Sequence, residues 1–150
     1  METTFLLIRL NSKLCAIPLA VVAECMRPLP AEPVPGTPPY LLGLAVIRGG
    51  PVPVVDLDVL LGGTGDGPRG RYVLLKFGER KLAIAVSEVS GVCQLPDSIL
   101  REAPPLLQGG DRELMAAVGV RDDQLFFVLR AAKVVPDEVW RVLETNRLES

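Results

Sequence analysis

The chain of 150 residues contains no histidine, so it lacks the commonest general base near neutral pH and the commonest metal ligand. Serine and cysteine hydrolase schemes that rely on an imidazole are excluded with it. Cysteine is sparse. Cys15, Cys25 and Cys93 are an odd number without CxxC spacing, which supports neither a zinc or redox site nor a disulfide framework. Each lies within an apolar run, so all three are expected as reduced, buried thiols. No excess of positive charge exists either. With a net charge of −2 and a pI of about 5.2, the chain has no field to gather phosphates, and nucleic acid is not an expected partner. Long hydrophobic runs are missing too: no segment approaches the ~20 apolar residues that span a bilayer. Met1-Glu2-Thr3-Thr4 has no basic n-region, and Arg9 soon breaks the run from Phe5, so a cytoplasmic protein without membrane insertion is expected. These absences point away from an enzyme, a metal or a cofactor and toward a binding module.

What is present is 49% hydrophobic and 23% charged, a globular composition. A domain of this size buries roughly 68–70% of the surface its unfolded chain exposes. Short segments rich in Val, Leu, Ile and Phe recur between Gly and Pro clusters, the punctuation of an all-β protein. Strands are expected at Phe5–Leu10, Leu14–Pro18, Val22–Arg27, Leu44–Arg48, Val52–Leu57, Tyr72–Phe77, Lys81–Val86, Gly91–Leu95, Ala116–Arg121 and Gln124–Arg130. Thr37 to Leu42 could form a single turn capped by Thr37. Pro136-Asp137 opens a segment with Val139, Trp140, Leu143 and Arg147 at helical spacing, which predicts one short C-terminal helix laid on the sheets through Trp140.

An internal repeat organises these strands. FLLIRLNSKLCAIPLAVVAECM, from Phe5, aligns without gaps on YVLLKFGERKLAIAVSEVSGVC, from Tyr72, at an offset of 67. PVPVVDLDVLL, from Pro51, aligns on LFFVLRAAKVV, from Leu125, at an offset of 74. Two half-units of five strands each suggest two small barrels, because closing a sheet removes exposed edges. The loop 62–70 joins the copies and is expected to be mobile. A groove between the barrels is a natural binding place.

Few residues carry chemistry. Asp56-Leu57-Asp58 can be read as a metal-holding DxD, but solvated carboxylates at a strand end are the commoner meaning. The glycine-rich loop lacks the Lys-Ser or Lys-Thr and the helix of a phosphate loop. Arg48, between an apolar run and Gly49-Gly50, reads equally as an exposed arginine or as a rigid fork at a hairpin mouth aimed at a partner carboxylate. Glu24, among Val22, Cys25 and Met26, reads first as a solvated strand carboxylate.

The string TPPYLLGLAVIRGGPVPVVDLDVLL resembles the signature of CheW-like chemotaxis coupling domains, with Gly43, Arg48, Gly49, Pro53, Asp56 and Leu57 in register. The opening FLLIRLNSKLCAIPLAVVAECMR, the block AIAVSEVSGVCQLP from Ala83 and, in outline, the Pro104-Pro105 loop and closing strands fit as well. The resemblance implies two intertwined five-stranded SH3-like barrels, so that residues 1–150 form one domain with inseparable halves. It implies an adaptor that bridges the cytoplasmic tip of chemoreceptors to the regulatory domain of the histidine kinase CheA, recruited to membrane-associated receptor arrays. The receptor-facing positions it implies are Val22, Glu24 and Arg48, with kinase docking on a different, mainly apolar patch that it does not assign. Val46, where the family often has Asn, Ser87, where Asp is frequent, and Arg130, where Asp or Asn is frequent, depart from the pattern. A second reading is a double-barrel sensory or small-molecule-binding module that regulates a kinase without bridging it to a receptor.

Overall fold

Runs such as Phe5-Leu6-Leu7-Ile8 and Leu82-Ala83-Ile84-Ala85-Val86 are buried at every residue, which happens where a sheet is covered on both sides. The structure, a computed structural model, describes residues 2–11, 13–96, 101–102 and 114–149. In chain order the strands are β1 (Glu2–Leu10), β2 (Lys13–Pro18), β3 (Val22–Met26), β4 (Leu41–Ile47), β5 (Gly50–Asp56), β6 (Arg71–Phe77), β7 (Arg80–Val86), β8 (Glu88–Pro96), β9 (Arg101–Glu102), β10 (Met115–Arg121) and β11 (Gln124–Leu129). Among the described residues two α-helices accompany them, α1 (Leu57–Leu60) and α2 (Asp137–Glu149). All ten expected strands are found, with β9 and α1 in addition. The turn before β4 differs from expectation. The Thr37 hydroxyl donates to the Val34 carbonyl at 2.6 Å instead of capping a helix, and Leu41 N–H closes on the Pro38 carbonyl before the chain enters β4. The Pro104-Pro105 loop and the Arg147 side chain lie outside the described residues.

The first sheet has the order β8-β1-β2-β11-β10-β9 and the second β3-β6-β7-β5-β4. Apart from the two-residue β9, each holds five strands, and each order has two ends, so the barrels are loosely closed. The halves exchange strands. β3 leaves the β1–β2 hairpin and pairs with β6, while its repeat counterpart β8 leaves β6–β7 and pairs with β1. The hairpins β4–β5 and β10–β11 then join β7 and β2 through parallel ladders. The two sequence offsets are kept to the residue: Val54 faces Ala83, and their counterparts Val128 and Ala16 face each other.

Intertwining explains the burial. Leu6, Ile8 and Leu10 point into an apolar core shared with Val73, Leu75, Leu82 and Ile84 of the other sheet. Phe5, Leu7, Ala16, Phe126 and Val128 fill a second cluster, and Ala45, Val52, Val54, Tyr72 and Leu74 a third. α2 lies on the shared core through Val139, Trp140 and Leu143, as its spacing predicts.

Candidate docking site

β3 and β4 are the two edges of the second sheet, and the candidate residues sit across that seam. On β3 the register skips between Val22, opposite Leu75, and Glu24, opposite Leu74, leaving Ala23 as a bulge. Bulges re-aim side chains. The same skip recurs on β8 between Val89 and Gly91, the repeat counterparts of Val22 and Glu24. Arg48 comes from the β4–β5 turn. Its φ of 54° and the 82° of Gly49 make a two-residue turn with both central residues left-handed, matched by Asp122 and Asp123 at 51° and 62° in β10–β11. Such a turn follows the twist of the strands, but holding a non-glycine residue there costs roughly 1–2 kcal/mol of backbone energy.

These two devices bring the charges together. Arg48 Nε donates to Glu24 Oε2 at 2.9 Å and Nη2 donates to Oε1 at 2.7 Å, a bidentate pair across the seam. The hydrogen bonds from Arg48 hold the Glu24 carboxyl below its ordinary value, and Glu24 in turn raises Arg48. The arginine side chain is 69% exposed and that of Glu24 31%. Arg48 thus meets an internal carboxylate while much of its guanidinium still faces solvent. Val22 is half-buried and rests on the shared core. A second contact across the seam pairs Glu32 with Leu44, each N–H donating to the other's carbonyl at 2.8 Å.

The acidic pair is not the solvated strand end expected. Asp56 is 2% exposed; its Oδ1 accepts from Val59 N–H at 3.2 Å, capping α1, and its Oδ2 accepts from Arg69 Nε at 2.6 Å. The strand ends inside the core, so its last carboxylate is taken up by a cap and a cation. Asp58 accepts from Gly65 N–H at 3.2 Å, and Arg69 Nη2 donates to the Gly65 carbonyl at 3.4 Å, so the glycine-rich loop is tied back at two residues. Cys93 is only half-buried, and Cys25 departs further from expectation. It is exposed because β3 alternates between core and solvent, whereas Cys15 is buried and its thiol is pushed up to about 12 by desolvation. Ser87 and Arg130 do structural jobs: the Ser87 hydroxyl accepts from Asn11 N–H at 3.0 Å where the chain crosses between sheets, and Arg130 Nη1 donates to the Met115 carbonyl at 3.3 Å.

The groove in the structure is not the one expected between the two barrels, being lined by the second sheet and α2 alone. It has a volume of about 620 Å³ and runs between the β4–β5 hairpin, the β6–β7 turn and α2. Arg80 closes its far side, stacking 4.9 Å over Trp140 and reaching Asp137 and Glu144 at 3.4 and 3.3 Å. Arg48 lines the near end.

The family model of the CheW-like domain matches residues 4–139. The chain belongs to the CheW-like family. It is 24% identical over 132 residues to the chemotaxis protein CheW of Rhizobium meliloti (strain 1021), covering 87% of this chain and 85% of that one. It is 25% identical over 136 residues to the chemotaxis protein CheW of Klebsiella aerogenes, covering 89% and 82%. The crystal structure of the scaffolding protein TtCheW from Thermoanaerobacter tengcongensis superposes with a TM-score of 0.77 at 20% identity, over 87% of this chain and 90% of that one, which shows the shared fold. A CheW-like chain is a chemotaxis coupling adaptor. Among the described residues, no helix is long and apolar enough to cross a membrane.

Proposed function

We propose that this CheW-like chain couples the cytoplasmic tip of chemoreceptors to the regulatory domain of the histidine kinase CheA, docking both without turnover and residing where receptor arrays meet the membrane. The observation that supports the receptor side is the exposed Glu24–Arg48 pair, beside half-buried Val22, on the seam between β3 and β4. An oriented charge pair next to an aliphatic residue has the anatomy of an interface rim beside its apolar centre. Kinase docking falls to a separate, mainly apolar patch.

Reversing either charge should leave the melting temperature and kinase binding near parental values and weaken receptor binding at least tenfold. The double variant Glu24→Arg, Arg48→Glu restores an internal pair with its polarity inverted, so receptor binding should stay lost. Recovery in the double variant would reduce the pair to a clasp between β3 and β4 and refute the surface. Equal loss of kinase binding would refute the separation of the two docking sites. Residues 1–150 act in this reading as one cooperative unit, because strands of both halves fill each sheet; cutting within the loop 62–70 and expressing either piece alone should yield unfolded material, and two folded halves would overturn it.

A further inference from the structure

We infer that residues 27–35 form a preorganised polyproline ridge, and that it seats in the groove of another protein, lined with aromatic rings and carrying carboxylates at one end. β3 stops at Met26 because proline stands at Pro28, Pro30, Pro33 and Pro35 and has no N–H to continue a ladder. Each of these prolines fixes its own φ at about −65° and keeps the residue before it, Arg27, Leu29, Glu32 or Val34, out of the helical region. The segment is extended by its own chemistry. Gly36, with φ 81°, ends it in a turn after Pro35.

A polyproline helix repeats every three residues and so presents three columns of side chains. Burial here has that period. Ala31 and Val34 are half-buried against the cores of the fold, whereas the columns Arg27, Pro30, Pro33 and Leu29, Glu32, Pro35 are exposed. Two anchors hold the inner column down: Tyr72 Oη donates to the Leu29 carbonyl at 2.9 Å, and Glu32 and Leu44 exchange backbone hydrogen bonds at 2.8 Å. A partner lying against a three-sided rod covers two sides, and two are open. Aromatic-lined grooves are what such ridges fill. Charge sets the direction. Arg27 is exposed and, among the described residues, in no ion pair. Arg71 leaves the same end of the ridge, because Met26 pairs with Tyr72, and its guanidinium donates to the Gly70 carbonyl at 2.8 Å. Two cations thus mark the start of the ridge and Glu32 its middle, so the complementary groove carries its carboxylates at the Arg27 end. A second copy of the chain does not supply that groove, since its own aromatic rings are all buried or half-buried.

The inference rests on the ridge and is independent of the receptor reading. Its probe is an isotope-labelled SH3 domain selective for arginine-first polyproline ligands, titrated with the full-length protein and with the synthetic peptide of residues 27–35 while the indole N–H of the tryptophan in the probe's groove is followed. A saturable shift is expected with the folded protein, at an affinity no weaker than the peptide's, because the fold has already ordered the segment. Arg27→Glu and Pro30→Ala, both at exposed positions, should stay folded by far-UV circular dichroism and each weaken binding roughly tenfold or more, while Arg48→Glu should leave it unchanged. Binding by the peptide without binding by the protein would show that the fold hides the ridge and would overturn the inference. Failure of both would overturn it too, as would an equal loss in Arg48→Glu, which would place the probe on the receptor-facing surface instead.

Discussion

Asp56 is the family-signature carboxylate whose role the structure relocates from surface to core, and its removal has a calculable cost. In Asp56→Ala, Val59 N–H at the start of α1 loses its cap, a change worth ~1 kcal/mol. The hydrogen bond from Arg69 Nε to a charged acceptor also goes; such bonds contribute ~1.5–3 kcal/mol, and the low end applies because the arginine side chain is 42% exposed and solvent takes up its charge. Together the loss is about 2.5 kcal/mol. For a chain of this length each kcal/mol moves Tm by roughly 2–4 °C, so the midpoint should fall by about 5–10 °C. Asp56→Asn keeps an equivalent cap and loses the ion pair, and should fall between parent and alanine variant. Urea unfolding followed by far-UV circular dichroism measures both. A loss under ~0.5 kcal/mol in Asp56→Ala, the range of an ordinary surface substitution, would refute the assignment of Asp56 to the fold.

Gly43 has φ 141°, and a Cβ there would collide with the Glu32 carbonyl oxygen in the bridge that closes the seam, so Gly43→Ala should cost ~1–3 kcal/mol in the same assay; a neutral result would show that the bridge yields freely. Because Arg48 depresses the Glu24 carboxyl, the pair's contribution is fully present above that group's ordinary value of 4.5 and is lost as pH falls through the lower folded value. Receptor binding should therefore be flat from pH 8 to about 5 and weaken only with further acidification, and a midpoint near neutrality would point to other groups. With Cys25 exposed and Cys15 buried, a thiol reagent should label Cys25 in the folded protein and reach Cys15 only on unfolding, as peptide mapping of the labelled sites would show.

Local physics explains how much was legible without coordinates. Apolar runs bounded by Gly and Pro locate ten strands, because strand length and turn chemistry are short-range properties. The repeat predicts equivalence as well: bulges, left-handed turns and parallel registers recur at the same two offsets. Membership of the CheW-like family was legible for the same reason, since its signature residues Gly43, Gly49 and Asp56 answer to a tight crossing, a turn and a cap. Tertiary structure decided what depends on partners distant in the chain. The repeat is symmetric under keeping or exchanging β3 and β8, and in the exchanged arrangement the shared core covers one face of β1 and β7 while the second and third clusters cover the other. Glu24 and Arg48 are each unremarkable alone; they become one element because a bulge and a left-handed turn aim them at each other across a seam. The groove beside Trp140 depends on where α2 docks against the β4–β5 and β6–β7 hairpins, a placement between elements distant in the chain that no periodicity encodes.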